Sequence, residues 1–148
     1  MSNLETVTEI QPRLVIDRVD EAVAFYEAVF DAERIDRYVS GAGVVVHASV
    51  RIGVSTVTMA QEVKEWQLLG PTAVGGSPVL LHLTLSDPDA ACARAVARGA
   101  VVVIPIEDRP YGKREGRIRD PFGHLWILSR PTEALSADEI ARRLRTAS

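Results

Sequence analysis

Apolar and polar positions along this chain follow one short pattern, and the pattern occurs twice. Leu14 to Ala24 (LVIDRVDEAVA) and Leu83 to Ala93 (LTLSDPDAACA) superimpose without gaps at an offset of 69, with Leu14 on Leu83, Ile16 on Leu85, Asp20 on Asp89, Ala22 on Ala91 and Ala24 on Ala93. Each copy opens as an apolar strand, passes an Asp-containing turn and enters an Ala-rich helix. In the first helix Val23, Tyr26, Val29 and Phe30 recur at helical spacing, which predicts a buried stripe. In the second, Asp87 suits the N-cap, Pro88 the first helical position and Arg98-Gly99 the end.

Short strands are predicted after each helix: Arg34 to Val39, Val44 to Val50 and Thr56 to Met59 in the first half, Val101 to Ile106, Gly116 to Arg119 and Leu125 to Leu128 in the second. Ser40-Gly41-Ala42-Gly43, Arg51-Ile52-Gly53 and Asp120-Pro121-Phe122-Gly123 fit the turns. The chain therefore divides into repeat 1 over about 9–62, a Gly- and Pro-rich connection over 63–78, repeat 2 over about 79–130 and a helix over 136–146. Ser136 and Glu139 form a capping box for that last helix, and Ile140 and Leu144 share one of its faces.

The fold class expected is α+β, with two βαβββ repeats in one domain. A sheet with a helix on one face leaves its other face open. Two open faces curving toward each other make a half-barrel cleft, the kind of concavity in which small ligands bind.

Composition narrows the partners. The 148 residues are 47% hydrophobic and 25% charged, which suits a single domain with a sizeable core. Seventeen basic side chains, mostly Arg, against 20 acidic ones give a formal charge of -3, and the arginines are scattered among acidic neighbours. No broad positive field is left for nucleic acid or anionic lipid, so neither is an expected partner. No apolar run reaches the roughly 18 residues of a membrane span, and the opening MSNLETVTEI lacks the order of a signal peptide. A cytoplasmic location is expected. Cys92 is the only cysteine, which excludes an internal disulfide and reads as a small buried residue.

The repeat pattern and four segments, LVIDRVDEAVAFYEAVFDAE, GGSPVLLHLTLSDPD, ARAVARGAVVVIPIED and YGKREGRIRDPFGHLWIL, resemble the vicinal oxygen chelate superfamily, the glyoxalase, bleomycin-resistance and extradiol dioxygenase group, and within it the PhnB-like branch. The resemblance implies a divalent metal held by four side chains, one from the first and one from the last strand of each repeat. Counting back from the first helix places the first position at Gln11, an acceptable oxygen donor, and the internal offset carries it to Leu80, which has no donor. In DPFGHLWIL the family's carboxylate falls on Ile127, and near Thr56 to Ala60 the nearest carboxylate is Glu62. A resident cofactor is therefore not expected. A divalent metal remains open only through a displaced set of Gln11, His47, His82 and Glu62.

The candidate cleft residues are Gln11, Arg13, His47, Leu80, His82, Tyr111 and Ile127, with His82 the candidate for acid-base catalysis. His124 reads as a structural histidine in the DPFGH turn. Arg114 or Arg117 offers a partner for a ligand carboxylate, Trp126 alternates into the helix layer, and Trp66 suggests cleft cover or a partner contact. The function expected is binding of a small organic molecule without a catalytic metal, in the manner of the superfamily's antibiotic-binding members, by a homodimer. Two alternatives stand beside it: a metal-dependent lyase, isomerase or dioxygenase, and a protein acting by interaction alone with a vestigial pocket.

Overall fold

The computed structural model describes residues 5–147. Repeat 1 comprises β1 (Arg13–Ile16), α1 (Val19–Phe30), β2 (Glu33–Val39), β3 (Val45–Ile52) and β4 (Ser55–Gln61). Repeat 2 comprises β5 (Leu80–Thr84), α3 (Pro88–Ala97), β6 (Val101–Arg109), β7 (Lys113–Arg119) and β8 (Leu125–Pro131). The connection between them carries a 3-10 turn (Lys64–Trp66) and the short α2 (Pro71–Val74), and α4 (Ala137–Thr146) follows the second repeat.

Each repeat builds its own four-stranded sheet, in the order β1-β4-β3-β2 and β5-β8-β7-β6. The first strand runs parallel to the last in both, and the remaining pairs are antiparallel. The predicted caps are present: Asp87 accepts the Ala90 N–H at 3.0 Å, and Ser136 accepts the Glu139 N–H at 3.1 Å. α1 has no side-chain cap at its start and ends on Asp31 in the left-handed conformation.

The structure departs from the sequence reading at the charged hairpin. The sequence places strands over Val101 to Ile106 and Gly116 to Arg119, yet β6 runs on through Arg109 and β7 starts at Lys113, leaving only Pro110 to Gly112 as the turn. Along β7 the buried Gly116 and Ile118 alternate with Glu115 and Arg117, while the three consecutive charges Lys113, Arg114 and Glu115 hid its first half.

The core lies between the sheets, where α1 and α3 pack side by side. Phe25, Tyr26 and Phe30 from α1 meet Phe122 and Trp126 from repeat 2, with the Trp126 ring centroid 5.3 Å from Tyr26 and 4.8 Å from Phe30. Trp126 thus belongs to the helix layer, as its alternation in the sequence predicts. At the centre, the buried Asp120 carboxylate accepts four bonds: from the Tyr26 hydroxyl (2.6 Å), Trp126 Nε1 (2.9 Å) and the N–H groups of Phe122 (2.9 Å) and His124 (3.0 Å). Further bonds join the repeats, from Arg94 to the Val29 carbonyl, from Arg18 to the Pro121 carbonyl and between His124 Nε2 and the Val15 carbonyl. Cys92 is half-buried, and burial pushes its thiol up, in keeping with packing rather than reactivity.

Gly116 is required by a close backbone approach. A Cβ there would lie 2.5 Å from the Ile104 carbonyl oxygen and 2.7 Å from the Ile106 nitrogen, where β6 bulges across it. Gly116→Ala is expected to cost about 3 kcal/mol, because backbone rather than a flexible side chain must move. Equilibrium urea unfolding checks this, and a cost below about 0.5 kcal/mol would contradict it.

Candidate functional site

The face of each sheet turned away from α1 and α3 is open, and strand register fixes which side chains share it. On repeat 1, Arg13 of β1 lies beside Thr58 of β4, Thr58 beside Ser49 of β3, and Ser49 beside Asp36 of β2. His47 lies beside Tyr38 on the same face, with the two rings stacked at 5.4 Å. The Arg13 guanidinium donates to His47 Nδ1 at 2.9 Å and to the Val46 carbonyl at 2.8 Å. A guanidinium only donates, so Nδ1 is an acceptor and the ring proton sits on Nε2.

On repeat 2 a row crosses the sheet from His82 (β5) through Ile127 (β8) and Arg117 (β7) to Ile104 (β6). A second row runs through Thr84, Ser129, Glu115 and Glu107, and a third through Leu80, Leu125, Arg119 and Val101. The Glu115 carboxylate accepts bonds from the Tyr111 hydroxyl on one oxygen and from the Ser129 hydroxyl, at 2.7 Å, on the other. Burial opposes its charge, but those bonds and the positive fields of His82 and Lys113 hold it below the ordinary glutamate range. Tyr111 is pushed up to about 12, by burial first and by Glu115 second.

Two arginines offered as carboxylate partners separate here. Arg114 is spent on Asp89 of α3 and on Asp108. Arg117 has no salt bridge among the described residues, and its Nε is buried without a hydrogen-bond partner. A cavity of about 250 Å³ lined by Ile104, Arg109, Tyr111, Glu115, Arg117 and Ile127 opens in front of it. Leaving a charged donor buried and unpaired costs about 1–3 kcal/mol. Glu115 and Ser129 escaped the sequence reading. Their alternation with Gly116 and with Leu128 was the available signal; hairpin charge masked it for Glu115, and Ser129 fell one residue past the predicted strand end at Leu128.

Gln11 and Leu80, related by the offset of 69, each lie two residues ahead of Arg13 and His82. Gln11 precedes β1, and its amide donates to Glu9 at 2.7 Å. Leu80, its equivalent, lies beside Leu125 rather than Ile127. The residue beside Ile127 is His82, and the same offset of 69 that relates Arg13 to His82 relates Thr58 to Ile127. Laterally paired and related by the repeat, four positions on the first and last strands are Arg13, Thr58, His82 and Ile127.

The displaced set is not gathered. Glu62 accepts the Gly70 N–H at 2.8 Å and anchors the connection, His47 is engaged by Arg13, and His82 stands on the other sheet. Among the described residues no group of three or more His, Cys, Asp or Glu is placed to hold a metal ion.

Residues 7–128 match the model of the glyoxalase/bleomycin resistance protein/dioxygenase superfamily. The chain belongs to this superfamily. Over 134 residues it is 40% identical to an uncharacterised protein of Mycobacterium bovis, covering 88% of each. Among solved structures, TioX from Micromonospora sp. ML1 is similar with a TM-score of 0.63 at 27% identity, over 87% of this chain and 100% of that one. A PhnB protein from Bacillus cereus has a TM-score of 0.66 at 20% identity, over 83% and 99%, a likeness of fold alone.

The four paired positions are poor in metal donors. A guanidinium, a hydroxyl, one imidazole and an aliphatic side chain stand at Arg13, Thr58, His82 and Ile127. They do not fit a divalent cation: one position brings a fixed positive charge, one brings no donor atom, and only the imidazole is a strong ligand. None of the described helices is long and apolar enough to cross a membrane.

Proposed function

We propose that this protein binds a small organic molecule in the superfamily cleft without a resident metal. The observation that carries the reading is that the paired positions on the first and last strands hold Arg13, Thr58, His82 and Ile127 rather than a set of metal donors. A guanidinium supplies positive charge and hydrogen bonds where an ion would sit, and Ile127 turns the facing strand into an apolar wall. Beside it, His82 is the side chain placed to exchange a proton with the bound molecule.

The cleft is completed by a second copy of the chain. In one chain the two faces do not cover each other, since Tyr38 on repeat 1 and Leu80, Val101 and Ile104 on repeat 2 all remain exposed. A twofold that lays the repeat 1 face of one copy against the repeat 2 face of the other buries these side chains and makes two equivalent clefts. Arg13 and His47 of one copy then oppose His82, Arg117 and Ile127 of the other.

Thermal-shift screening of organic molecules with a chelator present tests the reading. Binders are expected to raise the unfolding midpoint as their occupancy rises, and His82→Ala is expected to weaken them. A response that appears only after divalent metal is added would overturn the proposal.

A further inference from the structure

We infer that the molecule bound at this cleft carries a carboxylate, and that Arg117 receives it. The inference rests on the ligand-binding reading above and adds the charge of the ligand to it. Arg117 projects from β7 between Ile127 on β8 and Ile104 on β6. Its Nε is buried with no partner, and no carboxylate among the described residues is within ion-pair distance of the guanidinium.

The surrounding charges do not supply what is missing. Arg109 bonds the Glu115 and Pro105 carbonyls and pairs with Glu107, while Arg114 is paired with Asp89 and Asp108. Glu115, two residues along the same face, makes no ion pair with Arg117, and both of its oxygens accept from the hydroxyls of Tyr111 and Ser129. Those hydroxyls keep Glu115 in place and leave the guanidinium open toward the cavity.

The chemistry of the missing partner follows from shape and charge. Arg117 lines the cavity with a planar guanidinium fork, whose geometry matches two oxygens of one carboxylate. Ile104 and Ile127 beside the fork exclude water and accept an apolar body, and the cavity of about 250 Å³ limits that body to a small one. The fixed negative charge of Glu115 opposes a dianion more than a monoanion, which favours a carboxylate over a phosphate.

The experiment follows the Arg117 Nε–H resonance by nitrogen-15 NMR on the full chain. Benzoate and hexanoate are titrated in turn, then benzamide, hexanamide and inorganic phosphate. The acids are expected to move the resonance and to bind about tenfold to a hundredfold more tightly than their amides. Arg117→Gln is expected to lose the same factor for the acids, and Arg117→Lys, which keeps charge without the fork, to lose part of it. Amides that bind as well as acids overturn the carboxylate assignment while leaving the cleft reading intact, as does unchanged acid affinity in Arg117→Gln. Phosphate binding at least as tightly as the acids overturns the preference for a monoanion. Silence from both acids and amides overturns the inference together with the cleft reading.

Discussion

Asp120→Ala is expected to destabilise the fold by about 4 kcal/mol or more, the cost of leaving four buried donors without a shared charged acceptor. For a domain of this size that lowers Tm by roughly 8–16 °C. The Tyr26 hydroxyl, the Trp126 indole and the N–H groups of Phe122 and His124 all point at this one carboxylate, and none has a route to water. Asp120→Asn is expected to lose about half as much, because Oδ1 still serves the two backbone groups while an amide NH₂ in place of Oδ2 confronts two donors. Tyr26 adds a pH signature. Burial, then the charge of Asp120 and its hydrogen bond, raise the phenol well above its usual value. The stability this contributes is fully present below the unfolded tyrosine pKa of about 10 and is lost as pH rises toward the raised folded value. Tyr26→Phe removes that alkaline loss. Urea unfolding at neutral and alkaline pH measures both effects, and an Asp120→Ala cost under about 1 kcal/mol would refute the account of the core.

Changing Arg13 to His and Ile127 to Glu in one chain is expected to convert the protein into a zinc binder. The double variant would place two imidazoles, a carboxylate and the Thr58 hydroxyl at the four paired positions, within the usual chemistry of a divalent site. Elemental analysis after loading with Zn(II) and exhaustive dialysis is expected to find about one ion per chain in the double variant and far less in the wild type, with each single variant near the wild type. The result depends on the second copy bringing position 13 of one chain to positions 82 and 127 of the other, so it also reports on the proposed dimer. Stoichiometric zinc in the wild type after the same dialysis would refute the reading of Arg13 and Ile127.

Much of the fold was legible because the repeat was. The offset that joins Leu14 to Leu83 also predicts the two strand-helix units, and the Asp87 and Ser136 caps appear where side-chain chemistry placed them. The candidate site was harder to read. Periodicity assigns a face to a strand but does not give its pairing partner, so that Arg13 stands beside Thr58 and His82 beside Ile127 could not be read from it. Glu115 was hidden for another reason. In KREGRIR the residues sharing a face with Glu115 are Lys113, Arg117 and Arg119, and with Arg114 on the other face the charged residues dominate the reading. Whether an arginine is free or spent depends on contacts with distant segments, as Asp89 shows for Arg114, and no local pattern reports that.

The bonds that cross between the repeats carry a consequence for chain continuity. Tyr26 to Asp120, Arg94 to the Val29 carbonyl and His124 to the Val15 carbonyl hold the halves together through the shared interior, while the connection contributes no strand to either sheet. Gly75 and Gly76 within it are exposed and have open space where side chains would go. New termini opened at this point would cut the polypeptide without unpairing a β-ladder, so the two halves are suited to separate expression and reassembly, with each repeat able to be varied on its own.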